Sequence, residues 1–157
     1  MNNTTNDTQF FIKESAFEQA LVDLLPHHGW EKDIIVQPSE EDLVKNWATI
    51  IYDNNRDINR LGNAPLTTSE IQQIIDQVNR CDSPYSMNKL INGGQVCIKR
   101  DNHADMNNCG KEVYLKIFDA REISAGQSRY QIVRQPRFKA SHPLGGDRRG
   151  DVMLLIN

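Results

Sequence analysis

The sequence predicts an α+β fold, with helices in its first half and extended segments in its second. Three observations carry this. Apolar residues recur at helical spacing in four stretches before Gly93. The runs at 96–98, 113–118, 130–134 and 152–156 are rich in β-branched and aromatic residues and are bounded by turn formers. No strand–helix–strand repeat links them. At 157 residues, 38% apolar and 25% charged, the chain suffices for one soluble domain with a real core.

The first ten residues read as a disordered arm, with the domain proper at 11–157. Ser15-Ala16-Phe17-Glu18 has the form of a capping box, and Phe17, Leu21, Leu24 and Leu25 follow at helical spacing until Pro26 and Gly29 close the segment. Trp30 and Ile34-Ile35-Val36 predict a short extended piece ending at Pro38. A second helix starts at Ser39, with Glu40, Glu41 and Asp42 set favourably against its dipole and Leu43, Trp47, Ile50 and Ile51 as its stripe. The polar run Asp53–Asp57 either breaks this helix or exposes its end. Thr68 or Ser69 caps a third helix carrying Ile71, Ile74, Ile75 and Val78. Pro84 opens a fourth that ends at Asn92-Gly93-Gly94. An antiparallel set of about four strands then follows, the last being Val152–Ile156 behind the basic loop Arg137-Phe138-Lys139 and Gly145–Asp151. That last strand leaves a hydrophobic sheet edge without a neighbour, so the chain reads as marginally stable or as an excerpt of a larger ordered protein.

Composition excludes several classes. No apolar run nears the ~20 residues of a membrane span, and the polar start Met1-Asn2-Asn3-Thr4-Thr5-Asn6 has no signal-peptide core. Three cysteines without a CxxC pair indicate a reduced, cytoplasmic chain. Cys97, His103 and Cys109 stand at six-residue spacings that match no common zinc finger, so they read as ordinary thiols and a loop histidine. Phosphate-binding glycine loops of the mononucleotide or dinucleotide kind are absent, as is a serine-nucleophile elbow, and His142 is a lone loop histidine. Charge is uneven: residues 1–78 hold 5 Lys/Arg against 13 Asp/Glu, and residues 79–157 hold 13 against 8. The basic half suits a phosphate backbone, while the acidic half equally suits a basic protein partner.

Asp151 is the candidate for chemistry. Arg149-Gly150-Asp151 as an adhesion tripeptide would need an extracellular setting. An aspartate at the mouth of an apolar strand, beside a glycine and behind arginines, is instead placed to hold a divalent cation next to a phosphate. A strand-start aspartate in a loop is the alternative.

The blocks Phe17–Leu21, Glu41–Trp47, Tyr52–Leu61, Gly126–Pro136 and Asp147–Val152 resemble the N-terminus of the restriction (R) subunit of type I restriction-modification enzymes, nearest to the type IC kind, from about residue 10 onward. The resemblance implies a PD-(D/E)xK nuclease domain, a restriction-endonuclease-like core of helices packed on a mixed sheet and truncated here before its last strand. Asp151 takes the first catalytic and metal-binding position. The partnering Glu-x-Lys would fall beyond Asn157. Glu18, on the first helix, is a second catalytic candidate, equally explained as a cap. Arg137, Lys139, Arg148 and Arg149 are the candidate DNA contacts, or else a solvated strand-edge loop. The resemblance further implies Mg²⁺, held weakly here, and ATP used only by parts of the full subunit absent from this chain. The implied partners are double-stranded DNA and the modification and specificity subunits. Cleavage would be insensitive to base sequence, with the 157-residue chain itself inactive. The alternative is a non-catalytic docking or DNA-binding module.

Overall fold

The computed structural model describes residues 13–56, 61–118, 129–140 and 146–156. The arm at 1–10, His142 and parts of two resemblance blocks lie outside the described residues. The chain divides into two compact units, residues 1–38 with 129–156, and residues 39–128.

In the first unit, helix α1 (Glu14–Leu24) runs into a 3-10 turn, Leu25–His28, closed by Gly29 at φ 91°, a left-handed conformation that favours glycine. Strand β1 (Ile35–Val36) follows. After the excursion through the second unit come β4 (Tyr130–Arg134), β5 (Arg137–Phe138), β6 (Arg148–Arg149) and β7 (Val152–Ile156). The sheet order is β1-β4-β7, with β1 parallel and β7 antiparallel to β4. Among the described residues the buried apolar side chains here are Val22, Ile132 and Val133 with Pro38 and Pro136, whereas Phe17, Leu24, Val36, Leu154 and Ile156 stay exposed. The predicted stripe of α1 is therefore not its buried face, which carries Glu18 and Val22.

The second unit contains α2 (Glu40–Arg56), α3 (Thr68–Asn79), α4 (Pro84–Ile91), β2 (Gln95–Lys99) and β3 (Glu112–Lys116). Each helix start is satisfied locally. Ser39 and Asp42 exchange hydrogen bonds, and Thr67 with Glu70 and Ser83 with Ser86 form capping boxes. Ile51, Leu61, Ile74, Leu90, Val96, Ile98, Val113 and Leu115 form one buried cluster, with Trp47 packed against it. The alternation of β2 and β3 sends Val96, Ile98, Val113 and Leu115 inward.

Two strands alone would leave two raw edges, and side-chain amides cover them. Gln73 and Gln77 of α3 pair with the backbone of Lys99 and Cys97 through both N–H and C=O. Four helical residues rise about 6.0 Å and two strand residues about 6.6 Å, so the spacings match. Asn55 does the same at Lys116, accepting from its N–H at 3.0 Å and donating to its C=O at 2.9 Å. The polar run at 53–57 thus hides a residue only 2% exposed, and α2 continues to Arg56.

Behind the hairpin lies a buried ionic knot. Arg100, 1% exposed, donates to Glu70 at 2.6 Å, to Asp105 at 3.3 Å and to the carbonyl of Ala64 at 2.8 Å. Glu70 also accepts from the backbone amides of Thr67, Asp101 and Asn102. Among the described residues no buried side-chain polar atom lacks a partner. Burial disfavours the Asp105 charge, but hydrogen bonds from Asn108 and Arg100 outweigh it and hold its carboxyl below the usual aspartate range. Asp101 is lowered as well, chiefly by the Thr67 hydroxyl. Depressed folded-state values add stability above the unfolded value of 3.8, and it is lost as pH falls through them. A urea-melt series is expected to show flat stability from neutral pH to about pH 5 and a decline below about pH 4.

The α+β expectation is met, but the strands do not form one antiparallel set. They fall into the β1-β4-β7 sheet and the pairs β2–β3 and β5–β6. β1 reaches β4 across almost a hundred residues, and the intervening second unit supplies the long connection that a parallel pairing requires.

Candidate functional site

The site residues predicted from sequence gather at one end of the β1-β4-β7 sheet. β1 and β4, being parallel, both leave the sheet here, and each does so through a glutamine in the left-handed region: Gln37 at φ 50° and Gln135 at φ 52°. A non-glycine residue there costs about 1–2 kcal/mol, so surrounding contacts must hold it. The Gln37 amide N–H donates to the Arg134 carbonyl at 2.8 Å, and its side chain donates to Gln135 Oε1 at 3.1 Å. The Arg137 guanidinium donates to Gln37 Oε1 at 2.5 Å, and the Arg137 N–H to the Pro38 carbonyl at 2.9 Å.

β7 enters at this same end. Arg134 stands opposite Val152, and Arg137 opposite Arg149. Between those pairs the Gln135 N–H donates to the Asp151 carbonyl at 2.8 Å and the Gly150 N–H to the Pro136 carbonyl at 3.0 Å. β4–β5 and β6–β7 are therefore one hairpin ladder in constant register through the irregular Gln135-Pro136 step. A Cβ at Gly150 would lie 3.2 Å from Pro136 Cγ, so the glycine admits the proline ring. The Asp151 backbone is fixed by this ladder. Its carboxylate is exposed and makes no hydrogen bond or ion pair among the described residues.

Arg137, Lys139, Arg148 and Arg149 are all exposed. The β5–β6 pair sets Arg148 opposite Phe138 and Arg149 opposite Arg137, two residues from Asp151, with Lys139 directly following β5. Glu18 is a correction to the capping expectation. α1 begins two residues earlier than a Ser15 cap requires, its N-cap is Lys13, and no side-chain cap bond forms. The buried Glu18 carboxylate instead faces Arg134 at 3.5 Å, while Gln19 accepts from the same guanidinium at 2.9 Å. Arg134 thus ties α1 to the strand paired with Val152, the residue after Asp151. Nothing in the sequence pattern flagged Arg134, Gln37 or Gln135. The residue before proline is normally extended, which argued against the conformation Gln135 adopts.

Among the described residues no group of three or more His, Cys, Asp and Glu could hold a metal ion. Cys109 Sγ and His103 Nδ1 approach to 3.6 Å, but the third member, Cys97, lies in β2 opposite Tyr114 and completes no cluster with them among the described residues. Of the two predicted metal-site residues, Asp151 is unpaired among the described residues, while Glu18 is already countered by Arg134. These residues do not fit a complete divalent-cation site.

The chain is similar to the "Type I restriction enzyme SsaAORF53P endonuclease subunit" of Staphylococcus saprophyticus, at 27% identity over 147 residues, or 94% of this chain. The chain spans 14% of that relative's length. No protein-family model and no solved structure matches it. No described helix is long and apolar enough to cross a membrane. The relationship is a distant one to a type I restriction endonuclease subunit, across nearly the whole of the present chain.

Proposed function

We propose that this chain is the N-terminal part of the nuclease region of a type I restriction endonuclease subunit, and that Asp151 supplies the first carboxylate of its DNA-cleaving site. The observation that supports this best is a carboxylate that is exposed and unpaired among the described residues, on a backbone fixed by the β4–β7 ladder and beside the arginines of β5 and β6. A rigid strand end holding an uncommitted carboxylate next to phosphate-seeking cations suits phosphodiester hydrolysis. Double-stranded DNA is the substrate. The arginines grip the backbone and read no bases. Mg²⁺ as cofactor, ATP use elsewhere in the full subunit, and assembly with modification and specificity subunits belong to this same reading. The second reading, a non-catalytic DNA-binding or docking module, draws on the incomplete donor set.

Incubating the purified 157-residue chain with supercoiled plasmid and Mg²⁺ is expected to give no nicking, since one carboxylate does not make a metal site. Duplex binding should be independent of sequence and should weaken steeply with salt. Robust nicking abolished by Asp151→Ala would show that the donor set is complete within this chain. Absence of any duplex binding at low salt would count against the nucleic-acid reading altogether.

A further inference from the structure

Arg137 and Arg149 face each other directly across β5–β6. The Arg137 N–H is spent on the Pro38 carbonyl rather than on β6. The pair is therefore of the non-hydrogen-bonded kind, in which side chains approach most closely. Like charges directly opposite are destabilising, and no carboxylate among the described residues is paired with either arginine to relieve them. One of the two is also held in place. Gln37 accepts from the Arg137 guanidinium and is itself hydrogen-bonded to Gln135, and both glutamines occupy the left-handed region. A solvated surface charge needs no such support.

We infer that Arg137 and Arg149 form a two-sided clamp for a single phosphodiester of the DNA backbone, with Gln37 as the residue that positions Arg137. The inference rests on the DNA reading above and deepens it. Of the four basic residues near Asp151, these two act together on one phosphate, while Arg148 and Lys139 lie outside the clamp. One hydrogen on Arg137 goes to Gln37, and among the described residues the rest of its planar fork has no partner, which leaves it for a phosphate oxygen. The clamp sits two residues along the chain from Asp151, so the phosphate it holds belongs to the same stretch of backbone the carboxylate would address.

The test is fluorescence anisotropy of a labelled duplex against the purified chain over a salt series, with Arg137→Gln, Arg149→Gln, the double variant and Gln37→Ala. All three positions are exposed, and circular dichroism confirms the fold of each variant. Each arginine variant is expected to weaken binding about tenfold. The double variant should be little weaker than either single, because loss of one side opens the clamp. Its log–log salt slope should fall by about 0.9, the value for one phosphate. Gln37→Ala should weaken binding by a smaller factor at unchanged slope. Multiplicative losses with a slope change near ~1.8 would mean two separate phosphates and overturn the clamp. Unchanged binding in the double variant would overturn it while leaving DNA binding intact. Failure of the unmodified chain to bind duplex would instead defeat the reading on which it rests. Inorganic phosphate protecting the fold as well as duplex does, at matched ionic strength, would assign the pair to free phosphate and overturn the proposal.

Discussion

Replacing Arg100 by methionine is expected to unfold the second unit or to bring it close to unfolding. The substitution keeps the apolar stem and deletes the guanidinium, leaving the carboxylates of Glu70 and Asp105 buried without their counter-charge. It also strips donors from the carbonyls of Leu61 and Ala64. Breaking a buried pair from one side costs about 3–5 kcal/mol, a large share of the ~5–15 kcal/mol that holds a typical domain. Arg100→Lys should rescue little, because one ammonium cannot span acceptors that the planar fork reaches in several directions. The two tryptophans allow a clean measurement. Trp47 packs on the core of the second unit, and Trp30 meets Tyr130 edge-on at 5.5 Å in the first. In a Trp30→Phe background, urea melts followed by Trp47 fluorescence should show the midpoint collapse. An unchanged midpoint would mean that the knot contributes no net stability.

That knot also marks what the sequence concealed. Helices α1 to α4 were legible because apolar spacing, proline and glycine are local signals, and β2, β3, β4 and β7 were legible from short β-branched runs. Arg100 was not, since it reads as the polar end of a strand and its partner Glu70 lies thirty residues away. Asn55 looked like a surface residue in a polar run because its role depends on a strand edge sixty-one residues on. The same holds at the candidate site. Asp151 and the basic residues stand out as candidates by local chemistry alone. The parallel β1–β4 pairing, the strained glutamines and the Arg134–Glu18 contact are products of long-range register, which no local pattern encodes. Glu18 shows the cost of a local rule applied alone: the capping pattern is present, but the carboxylate turns to Arg134 instead.

The second large effect concerns Asp151. Its carboxylate is exposed and unpaired among the described residues, so Asp151→Ala removes no packing and no internal hydrogen bond; the backbone bond to Gln135 survives. The substitution should leave the melt of the chain unchanged within about 0.5 kcal/mol, as for other surface changes. In the proposed full-length endonuclease subunit, assembled with its proposed modification and specificity partners, it should cut the cleavage rate by at least about a hundredfold. That corresponds to roughly 3 kcal/mol of lost transition-state stabilisation. Duplex binding should persist, because the arginines of β5 and β6 are untouched.

Plasmid cleavage by that assembled enzyme, wild type against Asp151→Ala, measured alongside duplex binding, is therefore the most direct test. The account predicts that cleavage is lost while binding and fold remain. Cleavage at the wild-type rate by the Asp151→Ala enzyme would contradict it and would leave this chain with a DNA-binding or docking role.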